Sequence, residues 1–401
     1  MTDHPQWTLP EDVRPLLAPV LALPTLRPRY ADVDTSRPVR LTDLPVLTKD
    51  DFAAARADLL AAARANPAGT LILGSGGTTS KPKLSVMPSR MFLPDMLTVW
   101  HPLSPDDVLL NCNNGGELGS MHPFYNRLAH TSGAVVVPVG NIAPEALPDW
   151  LDFFVECGAT AIGGTPSYIA TVLECFAAAG RRPPFRKIVW TGEPFKADAR
   201  RVVERVLPEA ERYGVYGSTE TWVIGHNGPT CAPDVFHPLP YQHVEIVDGA
   251  IVVTTVHPDL VSPILRYRIG DRGEWAECPC GRPEPGLRVL GRADQSVKFR
   301  SILFTPEEVA EVALADPDVR DVQIAIVDHG TVHERMEVRL RTDASDPHAV
   351  EERVQKLLWS QLYRIVYEVD HEPEAFVARV VDRFDVNPRT NKTPLLVTLT
   401  S

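Results

Sequence analysis

Gly74-Ser75-Gly76-Gly77-Thr78-Thr79-Ser80-Lys81-Pro82-Lys83 is the stretch from which the rest of the chain can be ordered. It follows Thr70-Leu71-Ile72-Leu73, an apolar run that predicts a short buried strand. The glycines let the backbone turn tightly and aim several N–H groups at one point. Hydroxyls and two lysines, Lys81 and Lys83, surround that point. Such a turn suits a polyphosphate, with backbone donors on the oxygens and ammonium groups against the charge. On glycines and hydroxyls alone, a polar surface turn reads equally well. The pattern is not the Walker loop, because no Gly-Lys-Ser/Thr closes it after four intervening residues.

Composition bounds what surrounds this turn. A chain of 401 residues exceeds one small domain and suits a large and a small one. Apolar residues make up 44%, ample for a core, and 38 prolines predict many rigid turns. A net charge of −12 argues against a nucleic-acid surface. Six scattered cysteines do not suggest a disulfide scaffold. Met1 to Pro10 lacks an apolar signal core, and no stretch approaches the ~20 apolar residues of a membrane span. The expectation is a soluble, cytoplasmic protein with no membrane partner.

Residues 1–45 are proline-rich and show no period. Thr48 reads as the cap of an alanine-rich helix running to about Ala65. Short apolar strands are predicted at Val108–Asn111, Gly133–Pro138, Ala159–Ile162 and Lys187–Trp190. Helices at about Glu145–Cys157, Pro166–Ala179 and Ala197–Leu207 alternate with them. That alternation predicts an α/β fold with mostly parallel strands. From Gln242 to Glu274 the pattern turns to β, with Asp248-Gly249 as a hairpin signal. Beyond it, a helix at Pro306–Leu314, strands at Val319–Val327 and Val332–Thr342 and a helix at Pro347–Tyr363 predict a small α+β unit. The expected division is a large domain, residues 1–293, with a β-rich subdomain, and a small hinged domain, residues 294–401.

Four segments, taken together, resemble one family. Ser75-Gly76-Gly77-Thr78-Thr79-Ser80-Lys81-Pro82-Lys83 is similar to the phosphate-binding loop of the adenylate-forming enzymes, which include the acyl-CoA synthetases and adenylation domains. Ser80 stands where that loop usually has glycine. Tyr216-Gly217-Ser218-Thr219-Glu220 resembles the family segment whose threonine contacts phosphate and whose glutamate helps to hold Mg²⁺. Tyr267-Arg268-Ile269-Gly270-Asp271 resembles the segment whose aspartate accepts the ribose hydroxyls. Gly291-Arg292-Ala293-Asp294-Gln295-Ser296-Val297-Lys298 resembles the hinge, its arginine also reaching the ribose. Singly each is an ordinary turn or capped helix; the resemblance rests on all four standing in the family's order and at roughly its spacing.

The branch is narrower still. Gly163-Gly164-Thr165-Pro166-Ser167-Tyr168, Thr191-Gly192-Glu193-Pro194-Phe195 and Cys278-Pro279-Cys280-Gly281-Arg282 resemble the phenylacetate-CoA ligases, as does Leu44-Pro45-Val46-Leu47-Thr48-Lys49. Gly119-Ser120-Met121-His122 aligns with the branch's histidine segment beside the carboxylate. The resemblance covers about Leu44 to Pro388, and the length is that of short accessory members from aromatic, phenazine-type antibiotic pathways. It implies Ser75, Gly76, Gly77, Thr78, Thr79, Lys83, Glu193, Tyr216, Gly217, Ser218, Thr219, Asp271 and Arg292 at the nucleotide. Lys392, Glu220, Thr219 and His122 are implied at the chemistry, and Glu220 at Mg²⁺. Cys231, His237, Cys278 and Cys280 are zinc-type ligands, or reduced loop thiols. Similar groups hold zinc in some relatives.

Two departures bear on mechanism. Pro388-Arg389-Thr390-Asn391-Lys392 is one residue shorter than the family's catalytic-lysine motif and lacks its glycine. Ser301 stands where the family has a glycine lining the pantetheine tunnel. The implied activity is ATP- and Mg²⁺-dependent activation of a carboxylic acid, aromatic by branch, as an acyl-adenylate with release of pyrophosphate. The acyl group then passes to CoA or another thiol. The alternatives are delivery to a carrier protein or reductase, or a catalytically inactive nucleotide- or acyl-binding homologue. Self-association into a homodimer is left open.

Overall fold

Five parallel strands, four of them short and apolar, order the larger part of the chain. In the computed structural model, which describes residues 7–75, 83–116, 118–195, 197–292, 297–385 and 393–400, they lie side by side in parallel. Their spatial order is Val135–Pro138, Val108–Asn111, Ala161–Gly164, Lys187–Trp190 and Glu211–Ser218. Alternate residues face opposite ways. Leu109, Ala161 and Val189 pack with Phe124, Tyr125 and Leu128 of the helix Met121–Thr131. Leu110, Ile162 and Ile188 pack instead with Leu151, Ile169, Leu173 and Val203 of the helices Leu147–Glu156, Pro166–Ala178 and Ala197–Val206. With helices on both faces, the inner strands must be apolar throughout, and Ala161–Gly164 is buried along its length. Val135–Pro138 is the edge strand, which leaves Val135 exposed.

The same sheet then turns antiparallel. Trp222–Asn227, Val235–Pro238, Gly286–Arg292, Tyr267–Ala276, Ala250–Thr255 and Gln242–Val247 continue it to eleven strands. The β-rich region is thus an extension of the parallel sheet. The expected hairpin forms with Val247 opposite Ala250, and Asp248 and Gly249 at φ 52° and 76°.

Three local readings change. The proline-rich start contains a helix, Arg14–Leu21, opened by Pro15 and carrying Pro19; only Leu17 and Val20 are buried, too few to show a period. The helix after Thr48 is two, Lys49–Ala54 and Arg56–Ala65, broken at Ala55; Thr48 and Asp51 form the capping box. Thr70–Ser75 is a strand, but it pairs only with Lys83–Pro88 in a separate two-stranded sheet, so Ile72 is exposed rather than buried.

Residues 297–385 and 393–396 build their own core around Phe299, Phe304, Val338, Val354 and Phe376. Their sheet runs Phe376–Val380, Arg335–Thr342, Val319–Val327, Leu396–Leu399, with helices Pro306–Leu314 and Pro347–Gln361 against it. The second helix stops at Leu362, whose φ of −105° and ψ of 47° break the ladder, and resumes as Tyr363–Glu368. Asp294, within the hinge-like segment of the sequence, lies outside the described residues. Among the described residues no helix is long and apolar enough to cross a membrane.

Candidate active site

Tyr216, Asp271 and Arg292 converge. Tyr216 Oη donates to Asp271 Oδ2 at 2.6 Å, and Arg292 Nη1 donates to Asp271 Oδ1 at 2.8 Å. Asp271 and Arg292 face each other in register on paired strands, so the backbone itself aligns the ion pair. Burial and the neighbouring Asp271 charge push the Tyr216 phenol well above its ordinary value, so it stays protonated and donates. The result is a carboxylate with both oxygens oriented, in the geometry that accepts a vicinal diol.

Gly217 makes the next turn possible. A Cβ there would lie 2.1 Å from the Trp222 carbonyl oxygen. The backbone can therefore double back within Ser218–Trp222, where Ser218 Oγ accepts from Thr221 N at 3.2 Å. This presents Thr219 and Glu220 at the turn. Ser85 Oγ donates to the Thr219 carbonyl at 2.7 Å, tying the turn to the strand that leaves the glycine-rich stretch. Ser85 was not anticipated, since a serine inside an apolar strand carries no motif.

Glu193 Oε1 accepts from Ser167 N at 2.6 Å, at the start of the helix Pro166–Ala178, where the N–H groups favour an anion. Thr191 Oγ1 donates to the Val215 carbonyl at 3.0 Å, holding that loop against the Tyr216 strand. His122, half-buried at the start of its helix, meets the Asn113 carbonyl through Nδ1 at 2.6 Å. A carbonyl only accepts, so Nδ1 is the donor here, and Nε2 is the acceptor in that tautomer. The turn reaches Gly74 through a backbone bond, Gly74 N to Leu118 O at 2.9 Å.

Ser75 and Lys83 are opposed in register at the feet of the glycine-rich stretch. Gly76, Gly77, Thr78, Thr79 and Lys392 lie outside the described residues.

A second group gathers elsewhere. The ligand atoms of Cys231, His237, Cys278 and Cys280 all lie within 4.8 Å of one another, and Cys280 Sγ is 3.2 Å from His237 Nε2. All six cysteines of the chain are free. Burial pushes the Cys231 thiol up to about 12. Three sulfurs and one imidazole nitrogen at this spacing fit a closed tetrahedral zinc site.

The small unit meets the larger one at Gly74. Arg364 Nη2 lies 3.5 Å from where a Cβ on Gly74 would sit. Ser301 Oγ donates to Glu368 Oε1 at 2.6 Å. Burial raises the Glu368 pKa, and the charge of Glu193 acts in the same direction. Neither Arg364 nor Glu368 belongs to a motif that sequence reading could have singled out.

Known proteins resemble the chain in sequence and in fold. A family profile described as AMP-binding enzyme matches residues 32–255. A phenylacetate-coenzyme A ligase of Thermus thermophilus is 29% identical over 287 residues, 65% of this chain and 60% of the ligase. An indoleacetate–lysine synthetase of Pseudomonas savastanoi is 24% identical over 168 residues, 42% of each protein. The matched region thus spans less than two thirds of either relative. Among solved structures, a 2-hydroxyisobutyryl-CoA ligase in complex with 2-HIB-AMP and CoA superposes with a TM-score of 0.75 at 18% identity. It covers 98% of this chain and 91% of that one.

Proposed function

The chain belongs to the AMP-binding enzyme family of adenylate-forming proteins, and from that premise we propose that it activates a carboxylic acid with ATP. The carboxylate oxygen attacks the α-phosphorus, the bond to the β-phosphate oxygen breaks, and pyrophosphate leaves behind an acyl-adenylate. The observation that carries the reading is the Asp271 carboxylate held between Tyr216 and Arg292. A carboxylate with both oxygens oriented in this way suits the two hydroxyls of a ribose.

In this reading Asp271 and Arg292 take the ribose. Ser75, Gly76, Gly77, Thr78, Thr79 and Lys83 hold the phosphates, and Glu193, Tyr216, Gly217, Ser218 and Thr219 border the nucleotide. His122 lies beside the acid, where Nε2 accepts a proton or a hydrogen bond. Glu220 supplies the carboxylate for Mg²⁺, a hard oxygen donor that fits that ion. Bound there, the ion would neutralise phosphate charge. Lys392, from a small domain of residues 294–401, meets charge that builds on the phosphate only as the attack proceeds. The Cys231, His237, Cys278 and Cys280 group holds a structural zinc, on the spacing of its ligand atoms.

The acid is aromatic on the strength of the Thermus relative, whose name is phenylacetate-coenzyme A ligase. The acceptor is CoA by the same comparison. One observation favours a second acceptor. Glu368 and Ser301 place a carboxylate on the interface face of the small unit, which suits an ammonium better than phosphate-rich CoA. The Pseudomonas relative is named for lysine. Pyrophosphate release across a panel of aromatic and aliphatic acids tests the activation. Mass analysis of the acyl product with CoA, then with lysine, separates the acceptors. No carboxylate-dependent release from a protein that binds ATP would leave a nucleotide-binding homologue without the reaction.

A further inference from the structure

We propose that Gln242 is a positioning residue for the turn that carries Thr219 and Glu220, acting through a strained tryptophan, Trp222. The inference rests on the adenylate-forming reading, which puts Thr219 at phosphate and Glu220 at Mg²⁺, and adds a residue that no motif assigns.

Thr219, Glu220 and Thr221 close the hairpin between Glu211–Ser218 and Trp222–Asn227, with Ser218 paired to Trp222. A hairpin loop this short commonly uses a left-handed residue, a place that suits glycine. Here Trp222 takes it, at φ 65° and only 1% exposed. A bulky side chain in that region is strained and persists only where its surroundings over-determine it. They do so here. Trp222 Nε1 donates to the Met91 carbonyl at 3.1 Å, and its ring meets Phe124 edge-on at 5.6 Å. Phe124 lies on the helix that carries His122.

Gln242 fixes the backbone on both sides of the tryptophan. Its Nε2 donates to the Thr221 carbonyl and to the Val223 carbonyl, each at 2.9 Å. Its Oε1 accepts from Thr255 Oγ1 at 2.8 Å, and two carbonyls at the other end leave the amide one orientation. Gln242 and Thr255 are both buried and stand opposite each other in register. Gln242 opens the strand at one end of the eleven-stranded sheet, and Trp222 opens the sixth strand from that end. The amide thus ties the end of the sheet to the turn. On the other side of Glu220, Ser85 Oγ holds the Thr219 carbonyl at 2.7 Å. The backbone before and after Glu220 is therefore held, and a metal-binding carboxylate gains from that, because a ligand already in place loses less freedom on binding.

The test uses the full chain as wild type, Gln242→Met, Thr255→Val and, as a control for stability alone, Asp107→Asn. Gln242→Met keeps the reach of the side chain and removes both donors. Thr255→Val removes only the bond that directs the amide, so it tests the same device with less risk to folding. Each is confirmed folded by its melting temperature. ATP affinity is measured by calorimetry without any acid, once with Mg²⁺ and once with EDTA. Carboxylate-dependent exchange of pyrophosphate into ATP is followed against Mg²⁺ concentration. In Gln242→Met the gain in ATP affinity from Mg²⁺ is expected to fall about tenfold, and the Mg²⁺ needed for half-maximal exchange to rise by a similar factor. Thr255→Val is expected to move both the same way by less. Asp107→Asn is expected to lower the melting temperature and leave both Mg²⁺ responses as in wild type. Folded Gln242→Met and Thr255→Val with wild-type Mg²⁺ responses overturn the inference and leave adenylation standing. A loss of ATP affinity as large in EDTA as with Mg²⁺ also overturns it, since the damage is then to the whole site. A weakened Mg²⁺ effect on ATP affinity, in a protein that exchanges no pyrophosphate with any acid, keeps the inference and removes the adenylation reading.

Discussion

Tyr216 and Asp271 are joined by a 2.6 Å hydrogen bond although three strands separate theirs in the sheet. In a flat sheet four strand spacings would put them about 19 Å apart. The sheet therefore curls, and the curl brings its parallel half and its antiparallel half to one point. Phe236, on a strand between them, packs its ring 5.4 Å from Tyr216 and fills the inside of the bend. The candidate site is where the two halves of the sheet meet.

Asp271→Asn keeps the shape of the side chain and removes its charge. Arg292 loses its counter-ion and the proposed ribose its charged acceptor. AMP affinity is expected to fall by about 1.5–3 kcal/mol, read by calorimetry. Affinity equal to wild type would take Asp271 out of the nucleotide site.

Gly217→Ala introduces a Cβ 2.1 Å from a backbone oxygen that cannot step aside. The turn must open, at a cost of about 3 kcal/mol. A lower melting temperature together with weakened AMP binding is the expected pair of results. A variant as stable as wild type would show that the turn is not held as described.

Asp107 ties together the beginnings of the parallel strands. It accepts from Lys187 Nζ at 2.8 Å, Arg186 Nη2 at 3.0 Å, Thr160 Oγ1 at 2.9 Å and Ser104 N at 2.8 Å. Burial opposes its charge, yet Lys187 and the hydrogen bonds hold its pKa well below the usual carboxylate range. A depressed folded-state value means the stabilisation is present above the unfolded value, about 3.9, and is lost as pH falls towards the folded one. Asp107→Asn is expected to cost about 3 kcal/mol near neutral pH. The gap to wild type should close as pH drops below about 4, measured by denaturant unfolding at several pH values.

Purified protein should carry about one zinc per chain by elemental analysis, and Cys280→Ser should lower both metal content and melting temperature. Zinc-free protein with an unaltered melting temperature would leave the four residues as packing.

Much of this was legible in the sequence, for identifiable reasons. The strand Lys187–Trp190 and the helix Pro306–Leu314 were read at their observed bounds because a short apolar run and a Thr-Pro-Glu-Glu cap leave little choice. Asp271 and Arg292 were singled out by their motifs, and the structure pairs them with each other. What was hidden depends on partners distant in sequence. Ser85 matters through Thr219, 134 residues away, and Arg364 through Gly74. The Arg14–Leu21 helix was hidden by its own prolines, one at its opening turn and one tolerated inside.

The most direct measurement is carboxylate-dependent exchange of labelled pyrophosphate into ATP, run on wild type, Asp271→Asn and Lys392→Ala. It reports formation and reversal of the acyl-adenylate and nothing downstream, so the acceptor does not enter. The account predicts exchange with at least one aromatic acid. It also predicts a fall of about 10²–10³-fold in Lys392→Ala, the scale of losing one oriented donor, and loss of exchange with weakened nucleotide binding in Asp271→Asn. Wild-type protein that binds ATP yet shows no exchange with any acid would contradict it.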